Sequence, residues 1–309
     1  MTDAAIETHA LTKRFDTTAV VDGLDLRLER GTVLALLGPN GSGKTTTVRM
    51  LATLLQPSGG SARVCGLDLR TEPQSIRTRI GLTGQFSAID PQLSGIENVE
   101  FIAHLVGYRG RAARSTAGRL LEQFRLSAAA DRPAGTYSGG MRRRLDLATA
   151  FLTDPDVLFL DEPTTGLDPV ARDDLWGLVR ESVTRGCSVL LTTQYLQEAD
   201  TLADDVLVLD HGRKVAHGSP EGLKRLAGDP VMKLQARTGQ AERLYAALSA
   251  TGWPITVHEG STAGVTVPGH RTAEVIVAVQ QAGVVLESLS LREPDLDDVF
   301  RNLIAKEAR

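Results

Sequence analysis

A chain of 309 residues, 42% hydrophobic and 23% charged, is long enough for one large domain and a smaller one, each with its own core. A formal net charge of −4 excludes a global attraction to nucleic acid or to anionic lipid. No signal-peptide pattern opens the chain, no uncharged apolar run reaches the roughly 18–20 residues that cross a bilayer, and Cys65 and Cys187 are too far apart for a metal or redox motif, so a cytosolic protein with buried thiols is expected.

The first 30 residues read as two or three short strands, among them the alternating AVVDGLDLRL of 19–28. TVLALL (32–37) is a continuous apolar run that ends at a Gly-rich loop, the pattern of a buried parallel strand. TTTVRMLATLL (45–55) follows as a helix stopped by Pro57 and Gly59–Gly60. Residues from about 86 to 150 carry helical patterns with few strand signals. Strand character returns at DVLFLD (156–161), CSVLLTT (187–193) and DVLVLD (205–210). Strands alternating with helices imply an α/β fold with a parallel sheet covered on both faces.

Near 219–230 the pattern changes. Ser219–Pro220 suits a helix start, and Gly228–Pro230 a stop. Then come strand VMKLQAR, helix AERLYAALSA, strands PITVHE and AGVTVP, helix TAEVIVAVQQA and strand VVLESLSL. This βαββαβ order predicts a small ferredoxin-like α+β unit, followed by a terminal helix near 295–306. The expected boundaries are 1–220 for the first domain, 221–230 for a linker and 231–309 for the second.

GPNGSGKT (38–45) matches G-x-x-x-x-G-K-[ST] and lies between a predicted strand and a predicted helix. Gly38, Gly41 and Gly43 allow the backbone to curl around phosphate oxygens, with Pro39, Asn40, Ser42 and Thr46 completing the loop and the helix start. Lys44 would meet the β and γ phosphates of ATP, and the Thr45 hydroxyl would ligate Mg²⁺. VLFLDE (157–162) supplies the second half: four apolar residues bury a strand whose end carries two carboxylates. Asp161 suits the Mg²⁺ sphere, and Glu162 suits a general base acting on the attacking water.

YSGGMRRRL (137–145) resembles the signature sequence of ABC transporter ATPases, and its Ser138 stands 23 residues before Asp161. In the same order Gln85 matches that family's Q-loop glutamine, GLDP (166–169) its D-loop with Asp168, and TTQYLQEAD (192–200) its switch region. Phe15, in TKRF, matches the aromatic residue that stacks on adenine; a core aromatic is the other reading of it. The resemblance covers about residues 6–220. YSGGM, a Gln switch and the ending EPDLDDVF (293–300) look most like the ATP-binding subunits of bacterial daunorubicin- and anthracycline-resistance exporters.

The resemblance implies a P-loop NTPase core with an antiparallel β subdomain and a helical subdomain. It also implies a site shared between two copies. Ser138, Gly139 and Gly140 would open a helix whose start meets the γ-phosphate held by the other copy, as an anion suits a bare helix N-terminus. One phosphate loop and one signature per chain then require a head-to-tail homodimer. The resemblance further implies Mg²⁺ or water contact by Gln85, a separate transmembrane permease, no nucleic-acid partner, and a place at the cytoplasmic face of a bacterial membrane. Two departures stand out. Tyr137 and Met141 replace the usual Leu and Gln of the signature, and Gln194 replaces the usual switch His. An amide can donate to a phosphate oxygen but cannot relay a proton, so catalysis would rest on Glu162. The C-terminal unit reads as dimer-stabilising or as a ligand sensor.

Overall fold

The computed structural model describes residues 4–84, 89–226, 230–252, 256–258, 264–268 and 271–299. The chain divides into two units, Met1–Pro220 and Glu221–Arg309.

The first unit opens with two long strands, β1 (Ile6–Phe15) and β2 (Thr18–Leu28), where the sequence suggested shorter pieces. Next are β3 (Val33–Leu37), α1 (Lys44–Leu51), β4 (Gly59–Val64), β5 (Leu67–Asp68), α2 (Pro73–Arg77) and β6 (Ile80–Thr83). The helical stretch comprises α3 (Gly95–Leu105), α4 (Gly110–Gln123) and α5 (Gly139–Ala150). The unit closes with β7 (Val157–Asp161), α6 (Pro169–Thr184), β8 (Ser188–Thr193), α7 (Leu196–Leu202), β9 (Asp205–Asp210) and β10 (Arg213–Gly218).

Two sheets result. An antiparallel one has the order β2-β1-β4-β5, and a second runs β10-β9-β3-β8-β7-β6. In the latter every pairing is parallel except that of β10 with β9 at the edge. All five residues of β3 and of β7 are buried, as strands covered on both faces must be. Leu34 and Leu36 of β3 and Val157 and Phe159 of β7 join Val48, Met50 and Leu51 of α1 in one core, each fully buried Leu contributing about 1.5–3 kcal/mol. Helix α1 is shorter than its apolar pattern: Ala52 caps it and Thr53 turns to φ +63°, so the helix ends four residues before the expected limit at 55.

The helical stretch is pinned at its start. Ser94 and Glu97 form a capping box at α3, each side chain accepting from the other's backbone N–H. Tyr137, the replacement for Leu in the signature, is buried and its hydroxyl donates to the Ala129 carbonyl at 2.6 Å. A Cβ on Gly95 would lie 2.2 Å from that hydroxyl, so a glycine there makes room for the larger ring.

The second unit starts in α8 (Pro220–Leu226) and continues through β11 (Val231–Ala236), α9 (Ala241–Ser249), β12 (Thr256–His258), β13 (Gly264–Pro268), α10 (Thr272–Gln281) and β14 (Leu286–Arg292). Its sheet has the order β12-β13-β11-β14 with every pair antiparallel, which is the ferredoxin-like arrangement. Met232, Leu234, Leu244, Leu248, Val275 and Val279 form its own core. The terminal helix expected near 295–306 lies largely outside the described residues, which stop one helical turn into it.

Both cysteines are buried. Burial pushes the Cys187 thiol up to about 12, with the carboxylates of Asp156 and Asp154 acting in the same direction. At pH 8 its thiolate fraction is then on the order of 10⁻⁴. Iodoacetamide at pH 8 is therefore expected to leave Cys187 unmodified in the native protein and to label it once urea has unfolded the chain. Prompt labelling of the native protein, read by peptide mass spectrometry, would contradict the burial.

Candidate functional site

The buried β3 leaves the sheet at Gly38, and α1 begins six residues later at Lys44. Gly38 has no room for a side chain, since a Cβ would lie 2.3 Å from the Leu209 carbonyl oxygen on β9. Gly43 sits at φ +103°, a conformation costly to any residue with a Cβ, and turns the loop into the helix. No side chain caps α1 and no acidic residue occupies its first turn, so its N-terminal N–H groups and dipole favour an anion. Pro39 is half-buried, Asn40 and Gly41 are exposed at the loop tip, and Thr46 is half-buried in the first turn of α1. The Ser42 hydroxyl is buried and has no hydrogen-bond partner among the described residues. A buried donor left over within a curled loop fits a phosphate oxygen.

Lys44 is almost wholly enclosed. Its ammonium donates to the carbonyls of Gly38 (2.8 Å) and Pro39 (3.0 Å) and lies 3.9 Å from Glu162 Oε1. Burial draws its pKa below the usual lysine value, opposed by the carboxylates of Glu162 and Asp161. Thr45 donates from Oγ1 to Asp161 Oδ1 at 3.1 Å, and the same Oδ1 accepts a short hydrogen bond from Thr192 Oγ1. The register explains this, because Asp161 at the end of β7 pairs with Thr192 on β8. Thr45 and Asp161 thus offer two hard oxygen donors side by side. Among the described residues no group of three or more His, Cys, Asp or Glu is arranged so that it could hold a metal ion by itself. Two protein oxygens suit Mg²⁺, which keeps waters and completes its sphere with substrate phosphates.

Glu162, directly after β7, has φ +49°. A non-glycine residue there carries strain of about 1–3 kcal/mol and persists only where its surroundings impose it. Its backbone N–H donates to both the carbonyl and the hydroxyl of Thr192, each at 3.1 Å. Its carboxylate lies near Lys44, and the residue lines a cavity of about 420 Å³ shared with Gly139, Arg143 and Leu167.

Ser138 caps α5, its hydroxyl accepting from the Met141 N–H at 3.2 Å. The two glycines that follow differ. A Cβ on Gly140 would come within 2.7 Å of the Ala171 Cβ on α6, whereas one on Gly139 would meet nothing closer than Leu167 Cδ2 at 3.9 Å. Asp168 is exposed and caps α6 by accepting from the Ala171 N–H at 2.9 Å. Gln194 is half-buried in the turn between β8 and α7. That turn is braced by the Tyr195 N–H donating to Thr193 Oγ1, and by buried Glu198, which accepts from Trp176 Nε1. Phe15 ends β1 as a residue 46% exposed, with the Lys13 ammonium 5.0 Å from its ring centroid. So exposed a residue is no core aromatic. Gln85 lies outside the described residues.

The family model described as "ABC transporter" matches residues 21–165. A daunorubicin resistance ATP-binding protein of Streptomyces coeruleorubidus is 48% identical over 304 residues, covering 97% of this chain and 94% of that protein. The chain belongs to the ABC transporter ATP-binding family. A daunorubicin/doxorubicin resistance ATP-binding protein of Streptomyces peucetius is 45% identical over 301 residues, covering 96% of this ABC ATPase and 91% of the relative. A solved ATP-binding subunit of an ABC transporter superposes with a TM-score of 0.64 at 27% identity, over 72% of this chain and 92% of that one.

Two further residues of this ABC ATPase belong to the site and were not singled out from sequence. Thr192 holds both Asp161 and the Glu162 N–H; it opens the segment TTQYLQEAD matched to the switch region, but nothing in the sequence marks its hydroxyl as the one that reaches Asp161. Arg143 reaches from α5 to the backbone beside Glu162, donating from Nε to the Pro163 carbonyl at 2.8 Å. Nothing in the run of three arginines at 142–144 marks which one turns inward.

Proposed function

We propose that this ABC ATPase binds ATP with Mg²⁺ on its phosphate loop, closes head to tail on a second copy of itself, and drives a separate transmembrane subunit at the cytoplasmic face of a bacterial membrane. The observation that carries this reading is the meeting of Lys44, Thr45, Asp161 and Glu162 at one end of the parallel sheet.

In this reading Lys44, Ser42 and the loop N–H groups hold the β and γ phosphates. Thr45 and Asp161 would hold Mg²⁺, which offsets phosphate charge when bound, and Gln85 takes a metal or water contact by family position alone. Glu162 accepts the proton of the attacking water. Gln194 donates its amide hydrogen to the γ-phosphate without carrying a proton. Ser138, Gly139 and Gly140 serve the nucleotide of the other copy, Asp168 sits at the dimer seam, and Phe15 stacks on adenine. The region 231–309, which has a core of its own, reinforces the dimer. Among the described residues no helix is long and apolar enough to cross a membrane, which supports a separate permease.

Relatives named for daunorubicin and doxorubicin resistance align over nearly the whole chain, which supports an exporter of drug-like cargo. The test is co-expression with the transmembrane subunit and ATP-driven accumulation of doxorubicin in inverted membrane vesicles, followed by its fluorescence. ATP-dependent uptake that Glu162→Gln abolishes is the expected result. ATP hydrolysis without uptake would remove the drug assignment, and failure to co-purify with the membrane protein would remove the partner.

A further inference from the structure

We propose that Arg143 is a positioning residue for ATP hydrolysis, fixing the backbone that carries Glu162 and tying it to the signature helix. This rests on Glu162 being the general base.

Arg143 lies on α5, one turn past Ser138, and its side chain is 15% exposed. All three guanidinium nitrogens are engaged. Nε donates to the Pro163 carbonyl at 2.8 Å, and Nη2 to the Asp161 carbonyl at 3.4 Å. Nη1 donates to the Gly84 carbonyl at 3.0 Å and to Asp146 Oδ2 at 3.2 Å. The first two acceptors belong to the residues on either side of Glu162. The third is the last described residue before Gln85. Asp146, one turn further along the same helix, is buried and sets the guanidinium plane.

Glu162 needs such a hold. Its left-handed backbone returns to ordinary values unless the neighbouring peptides are fixed. Thr192 grips its N–H from the β8 side, and Arg143 grips the flanking carbonyls from the α5 side. A guanidinium spreads five N–H donors over three nitrogens and so reaches carbonyls that lie too far apart for the single nitrogen of a lysine ammonium or a side-chain amide. The first turn of α5, which would meet a nucleotide, is therefore linked through one side chain to the residue that activates water.

The experiment measures kcat, KM and equilibrium ATP affinity of the full chain for the parent, Arg143→Ala, Arg143→Gln, Glu162→Gln and the doubly substituted Arg143→Ala/Glu162→Gln, using labelled ATP to resolve slow turnover. Arg143→Ala is expected to lower kcat by about 10–100-fold, as a misplaced catalytic group does, while ATP affinity stays within about twofold of the parent. In the Glu162→Gln background the same substitution should cost nothing further, because a base that is absent cannot be displaced. If the alanine variant does not fold, Arg143→Gln is read in the same way, with a smaller loss from the one carbonyl it still reaches. Losses that multiply independently of Glu162, or a fall in ATP affinity that matches the fall in kcat, would overturn the proposal. Full turnover by Glu162→Gln alone would instead reject the base assignment, an outcome visible before any arginine variant is compared.

Discussion

Exchanging Glu162 for Gln is expected to slow ATP turnover by on the order of 10²–10⁴-fold while leaving nucleotide affinity close to that of the parent. The two side chains have the same shape, so the residue keeps its place after β7 and the Thr192 carbonyl and hydroxyl keep their grip on its N–H. What is lost is an acceptor for the water proton. Lys44, 3.9 Å from Oε1, loses a counter-charge but keeps the Gly38 and Pro39 carbonyls. Phosphate release under saturating MgATP and titration with a fluorescent ATP analogue measure the two quantities separately. A variant that binds ATP as weakly as it hydrolyses it would show that Glu162 serves binding, not proton transfer.

Lys44→Ala should act on binding first. The ammonium is enclosed by the loop, and a charge-assisted hydrogen bond to phosphate is worth about 1.5–3 kcal/mol, or roughly 10–150-fold in affinity. Turnover should fall further, by about 10²–10³-fold, because the same ammonium meets charge that grows in the transition state. Lys44→Arg should not restore function, since a planar fork cannot occupy the space between two loop carbonyls filled by a compact ammonium. Isothermal titration with ATP for both variants checks this, and an unchanged dissociation constant for Lys44→Ala would rule out the assigned contact. The two variants together separate holding the nucleotide from cutting it.

The site was legible where chemistry is local in the chain. Gly38 to Thr45 is one uninterrupted motif between a buried strand and a helix, and Asp161–Glu162 ends a strand too apolar to be anything but buried. The alternation of strands and helices gave the parallel sheet for the same reason. The role of Thr192 within the 192–200 segment is not legible because its partner Asp161 lies on a neighbouring strand and only the register brings them together. Arg143 escaped notice because Arg142, Arg143 and Arg144 are chemically identical. The packing of α5 decides that Arg142 is exposed while Arg143 turns toward β7. The end of α1 was misjudged because Thr53 adopts a left-handed turn without a glycine to announce it. Tyr137 read as a departure from pattern; in space it is an anchor whose bulk is matched by the bare Gly95.

The signature's paired glycines answer to different demands. Gly139 stands open, and its lack of a side chain concerns whatever approaches from outside. Gly140 is crowded from within, because the methyl of Ala171 lies only 2.7 Å from the place where its own Cβ would go. Inactivation by substitution at 139 would therefore report on recognition, and inactivation at 140 on the seating of α5 against α6. Assigning both failures to lost nucleotide contact would mistake a dislodged helix for an unread ligand, and Ala171, outside every motif, inherits the sequence constraint of its neighbour.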